Sequence, residues 1–124
     1  MSFKEYLGIK DSLLPGLATG FGGGIGGKGS LCGAFTGSIM VIGMKIGRAD
    51  CKDRKSQSKA YDKSHRFWDH FEREFGTNIC YNITQCHFDI EGERQKWLDR
   101  GGKEKCLQLV EKTGRMLYDF VNEF

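Results

Sequence analysis

The residues of this chain with the most chemistry in them are its cysteines, at positions 32, 51, 80, 86 and 106. Five is an odd number, so they cannot all pair within one chain. No charged segment followed by an apolar core and a cleavage site opens the sequence. The expectation is a cytoplasmic setting, where thiols stay reduced or are held by a metal. Cys80 and Cys86 stand six residues apart, which is neither a zinc-ribbon nor a bacterial ferredoxin spacing. There is no Cys-x-x-Cys and no haem-attachment motif. Cys32 opens a long apolar segment, and there the positive end of a helix dipole would favour thiolate over thiol, as a nucleophile or a ligand requires. Cys106 falls on an apolar helical stripe and reads equally as a ligand or as an inert core thiol. Cys51 precedes the very polar stretch Asp53 to Lys63 and is expected at the surface.

The second chemical candidate is a glycine cluster, in a chain of 18 glycines and a single proline. Gly24-Ile25-Gly26-Gly27-Lys28-Gly29 satisfies the dinucleotide-binding pattern, and Gly22 to Lys28 nearly satisfies the P-loop, failing where Gly29 replaces Ser or Thr. Both patterns work only between a β-strand and a helix, and Leu13 to Phe21 reads as helix. Nucleotide binding is therefore not expected. The N–H groups of such a loop can still hydrogen-bond an anion or the sulfurs of a cluster, which makes Gly24, Gly26 and Gly29 the candidate cofactor-binding glycines.

The elements that must position these residues are helical. Asp11 or Ser12 can cap a helix that tolerates Pro15 in its first turn and runs to about Gly20. Gly20 to Ser30 holds too many glycines for regular structure. Ser30 can then cap a central helix over 31–46, apolar or small all round and so buried on most faces. Gly33/Gly37 and Gly43/Gly47 space glycines four apart on it, for tight packing. From about Lys55, Tyr61, Trp68, Phe71 and Phe75 recur at helical intervals until Gly76 stops the helix. His65 and His70 on that helix read as surface or packing residues. Short helical turns follow over 80–85 and over 91–99, the latter capped by Asp89. A last helix from Lys103 carries Cys106, Val110, Thr113, Leu117, Phe120, Val121 and Phe124 on one stripe. No segment alternates with period two. The expected fold is all-α: one domain over 1–124, a compact bundle of four to five helices with a glycine-rich loop before a buried central helix.

Composition agrees with an ordinary folded domain, at 39% hydrophobic and 28% charged residues with mean hydropathy -0.47. The net charge of +3 is too small to argue for nucleic acid. Lys45 to Arg66 is locally basic and could dock an acidic redox partner, or be a solvated face. Ser12 to Met44 has one charge, Lys28, and each uncharged half is too short for a membrane span. Neither a Ser/His/Asp set nor a carboxylate pair supports a hydrolase. Zinc on Cys80, Cys86, His87 and Cys106 is a weaker option, because adjacent Cys86 and His87 rarely point the same way.

Gly20-Phe21-Gly22-Gly23-Gly24-Ile25-Gly26 followed by Cys32-Gly33-Ala34-Phe35-Thr36-Gly37 resembles the prokaryotic C_GCAxxG_C_C family of redox-active proteins. Phe75-Gly76 followed by Cys80 resembles the third family cysteine, and Cys106 within Lys105 to Val110 the fourth. The resemblance covers nearly the whole chain. The split-Soret cytochromes are similar too, which implies electron transfer and a homodimer. Family members begin with a longer first helix bearing another cysteine, whereas this chain has none before Cys32. Should four sulfurs be needed, Cys86 or Cys51 must stand in, and Cys86 is favoured. The resemblance thus implies an iron–sulfur cluster on Cys32, Cys80, Cys86 and Cys106, exchanging electrons with a redox partner protein or a small-molecule oxidant or reductant. The alternatives are a metal-free thiol/disulfide protein with Cys32 as the attacking thiolate, and a non-catalytic interaction protein with structural cysteines.

Overall fold

The computed structural model describes residues 2–10 and 12–124. Among them lie seven α-helices, more than the four to five expected, and no β-strand beyond a single bridge. They are α1 (Phe3–Tyr6), α2 (Leu14–Ala18, continued by a 3-10 turn at Thr19–Phe21), α3 (Gly33–Ile46), α4 (Arg54–Phe75), α5 (Cys80–Thr84), α6 (Glu93–Asp99) and α7 (Gly102–Val121). Glycine-rich residues 22–29 are a run of turns.

The three long helices make the core, with α3 packed on both α4 and α7. Phe35, Val41 and Ile42 of α3, Phe67 and Phe71 of α4, and Leu117 and Val121 of α7 are buried together. Each large apolar side chain buried in this way contributes about 1.5–3 kcal/mol. On α4 the buried stripe steps by four through Phe67, Phe71 and half-buried Phe75. Tyr61 (68% exposed) and Trp68 (40% exposed) lie off it, contrary to the sequence expectation: Phe67 lies between Phe35 and Phe120 within the core, while Trp68 meets Phe35 edge-on from its exposed side. On α7, Thr113, Leu117 and Val121 are buried while Val110 is exposed. The central helix is likewise not buried all round, since Gly33 and Gly43 are exposed.

The helix starts differ from the sequence reading in a consistent way. Cys32, not Ser30, occupies the N-cap of α3. Leu13, not Ser12, precedes α2, and Asp11 lies outside the described residues. Gly92 with φ 85°, not Asp89, precedes α6, because the Asp89 carboxylate is engaged by Lys28 at 3.2 Å. Asp53 caps α4 by accepting from the Ser56 N–H, and Gly76 ends that helix in the left-handed region. Among the described residues no helix is long and apolar enough to cross a membrane.

Candidate redox site

A short antiparallel pairing joins the segments that carry Cys32 and Cys80. Leu31 bridges Ile79, the Cys32 N–H donates to the Asn78 carbonyl at 2.7 Å, and the Cys80 N–H donates to the Ser30 carbonyl at 2.6 Å. One step further, the Tyr81 N–H donates to the Gly29 carbonyl at 3.0 Å. The pairing is a single bridge, with Cys32 at the N-cap of α3 and Cys80 the first residue of α5.

The glycine turns pack directly against this pairing. A Cβ added to Gly24 would lie 2.5 Å from the Cys80 Cβ and 2.7 Å from the Ser30 nitrogen, and its φ is 71°. Only glycine allows that approach and that conformation together. The loop is thus built against Cys80, with Lys28 also tying it to Asp89 on the segment after Cys86.

Cys106 joins from one turn inside α7. Cys32, Cys80 and Cys106 line one cavity of about 470 Å³, walled by Ile83, Phe88, Trp97 and Leu109, with Gly23, Gly24 and Gly33 exposing backbone and Thr84 and Arg94 supplying polar groups. The Trp97 ring lies on Gly102, where an added Cβ would meet it at 2.1 Å, so this corner of the wall requires glycine at the start of α7. Another cavity, about 540 Å³, between α3 and α4 beside Trp68 contains no cysteine among its lining residues.

Of the other sequence candidates, Cys86 is completely buried and does not line this cavity. Gly26 and Gly29 also lie off the cavity, Gly26 exposed and Gly29 buried under Tyr81. Cys51 is exposed. His87 stacks on Tyr81 with ring centroids 4.1 Å apart. All five cysteines are free thiols, and among the described residues no group of three His, Cys, Asp or Glu is placed to hold a metal ion.

Burial pushes the Cys80 thiol above its ordinary pKa, and negative charge on Cys32, Cys106 or Cys86 pushes it further, against a hydrogen bond with Thr84. Cys106 is raised by burial and then by Cys32 and Cys86. Cys86 is raised by burial and by Glu93, with Arg100 and Arg94 opposing. The bare protein therefore resists several thiolates at once. A cationic centre would reverse that preference.

The family model described as "Putative redox-active protein (C_GCAxxG_C_C)" matches residues 1–120. The chain belongs to the C_GCAxxG_C_C family. No curated protein and no solved structure matches it. In this family member the Cys-Gly-Ala-x-x-Gly stretch starts α3, so its cysteine caps the helix while Gly33 and Ala34 line the cavity. Sequence reading missed two residues here. Asn78 is paired across from Cys32, and Arg100 holds the turn that leads into Cys86. Neither carries a motif, and each acquires its place only through the pairing and the α5–α6 packing.

Proposed function

We propose that this redox protein is an electron carrier whose Cys32, Cys80 and Cys106 hold an iron–sulfur cluster, with Cys86 as the further thiolate behind them. The observation that carries the reading is the convergence of three thiols from three separate segments on one largely apolar cavity. Among the described residues no three His, Cys, Asp or Glu are grouped to hold a single ion. A cluster spreads its thiolates over several irons and so accepts ligands set further apart.

When bound, such a cluster supplies one-electron transfer. The chain does the rest. Helix geometry leaves the first N–H groups of α3 without intrahelical partners, and the residues that carry them, Gly33 and Ala34, line the cavity beside Cys32. Those donors and the helix dipole offset thiolate charge. Phe88, Trp97 and Leu109 exclude water, and Arg94 adds a positive charge at the wall. Electron donor and acceptor are a partner protein or a small molecule.

Protein purified without oxygen should be brown and contain stoichiometric iron and sulfide. Cys32→Ser, Cys80→Ser and Cys106→Ser should each lose most of it, and Cys51→Ser none. A colourless wild type that stays iron-free after anaerobic reconstitution, yet gains a disulfide on mild oxidation, would establish thiol exchange instead.

A further inference from the structure

The cavity between α3 and α4, at about 540 Å³, is within the roughly 300–1,000 Å³ of sites that hold small molecules. Leu31, Phe35 and Ile39, four residues apart at the entry to α3 and along it, line it from one segment. Trp68 lines it from α4, edge-on to the Phe35 ring with centroids 5.1 Å apart. Phe21, in the 3-10 turn after α2, adds a third ring. Phe35 is buried, but Phe21 and Trp68 are exposed and Leu31 and Ile39 are half-buried. Four apolar side chains thus keep surface in contact with water inside a concave site, and covering that surface with a flat apolar body is favourable.

The polar lining is on α4, apart from Thr36, whose hydroxyl donates back to the Cys32 and Gly33 carbonyls. It consists of Ser64, His65 and Asp69, beside the indole N–H of Trp68. The Ser64 hydroxyl and the Trp68 N–H have no hydrogen-bond partner among the described residues. His65 Nε2 stands 3.7 Å from Asp69 Oδ2, too far for a hydrogen bond. Hydroxyl, imidazole and indole can therefore all donate outward, which suits an acceptor oxygen. No Lys or Arg lines the cavity among the described residues, and Asp69 brings negative charge, so an anion is disfavoured. Leu31 lines this cavity and Cys32 the three-cysteine one, so one peptide unit of about 3.8 Å links the two linings. We infer that the α3–α4 cavity binds a flat, neutral ring compound with a carbonyl acceptor, of the quinone type. Its rings lie against the apolar side chains and its oxygen meets the donors of α4. Binding requires no metal and stands apart from the electron-carrier reading.

The test is equilibrium dialysis of the full-length, metal-free protein against fluorenone, a flat ring ketone inert to thiols. One molecule should bind per chain, and fluorene, equal in shape but without the oxygen, should bind about three- to tenfold more weakly, the ratio that one hydrogen bond supplies. Ser64→Ala combined with His65→Ala should shrink that ratio and leave fluorene binding unchanged. Ile39→Trp, which fills the cavity, should abolish binding of both. Trp68→Ala, at an exposed position, should weaken both about tenfold or more by removing an aromatic wall, and it keeps the test decisive should Ile39→Trp fail to fold. Equal binding of fluorenone and fluorene would overturn the carbonyl class, and tighter binding of N-methylacridinium would give the site to a cation held by Asp69 and overturn it as well. Binding that survives both Ile39→Trp and Trp68→Ala would lie elsewhere on the molecule. No uptake of fluorenone, with a dimer in gel filtration that Trp68→Ala dissociates, would mean that a second copy covers the cavity and would overturn the inference.

Discussion

Gly24 has its α-carbon pressed against the cysteine that it faces, and its backbone is left-handed as well. Gly24→Ala therefore has to force Cys80 away and to adopt a conformation that costs an L-residue about 1–2 kcal/mol. Overpacking adds about 1–3 kcal/mol. Gly26 is the control, since it shares the positive φ, at 57°, but has nothing within 4 Å of its added Cβ. In urea titrations Gly26→Ala should lose about 1–2 kcal/mol, and Gly24→Ala should lose clearly more and fail to retain iron. Equal losses would detach the loop from Cys80. The thiols themselves predict a pH dependence. Cys80, Cys86 and Cys106 all bind their protons more tightly in the folded state than an exposed thiol does. Their contribution is complete below the ordinary thiol pKa of about 8.5 and is lost as pH rises through the higher folded values. Reduced, metal-free protein should thus weaken on alkaline titration, by at most ~1.4 kcal/mol per pH unit for each thiol, and Cys80→Ala should flatten the slope. The cysteines were legible by residue type alone, as was the exposure of Cys51. Asn78 was not, because its bond to the Cys32 N–H is a property of the pairing and leaves no mark in composition.

At the scale of elements, the turn after α5 does the work of aiming Cys86. Gln85 takes φ 55°, unusual for a residue with a side chain, and Arg100 at the end of α6 donates from Nη2 to the carbonyls of both Thr84 and Gln85 at 2.9 Å. The chain then turns inward, and Cys86 follows fully buried. Arg100→Ala should cost about 1–2 kcal/mol, the lower range for bonds to a charged group that stays exposed. It should also open Cys86 to a thiol reagent in the metal-free protein, as followed by mass mapping. Arg100→Lys should rescue only in part, since an ammonium lacks the planar guanidinium fork. A Cys86 that stays as unreactive as in the wild type would show that burial alone holds it. The long helices were readable from apolar spacing, but their caps were not. Ser30 carries a capping side chain in a suitable place, yet its carbonyl is used by Cys80, and the pairing of Leu31 with Ile79 delays the start of α3 to Gly33. Asp89 is similarly diverted by Lys28. Tertiary partners outcompeted local ones at both sites, and local signals were all that the sequence displayed.

Across the whole molecule, α4 separates the basic residues of its own N-terminal half from the cysteines of the cavity. A helix of 22 residues spans about 33 Å, and Cys80 follows its C-terminal end while the basic residues crowd its N-terminal half. Lys55 and Lys59 thus lie roughly 24–30 Å along the axis from Phe75, and both are exposed. A partner docked on them would meet the end of the molecule farthest from the cysteine cavity. Arg94, by contrast, lines that cavity and is itself exposed. Steering by charge falls off over a Debye length of about 10 Å at 0.1 M salt. Reduction of the loaded protein by a small anionic reductant should therefore slow a few-fold at low ionic strength in Arg94→Gln, and the difference should shrink as salt is added. The double substitution Lys55→Glu with Lys59→Glu should leave the same rate within about twofold, because its charge change is screened before it reaches the site. Stopped-flow rates measured against ionic strength decide between them. A large effect at Lys55 and Lys59 with none at Arg94 would move electron entry to the far end of α4 and away from the three-cysteine cavity.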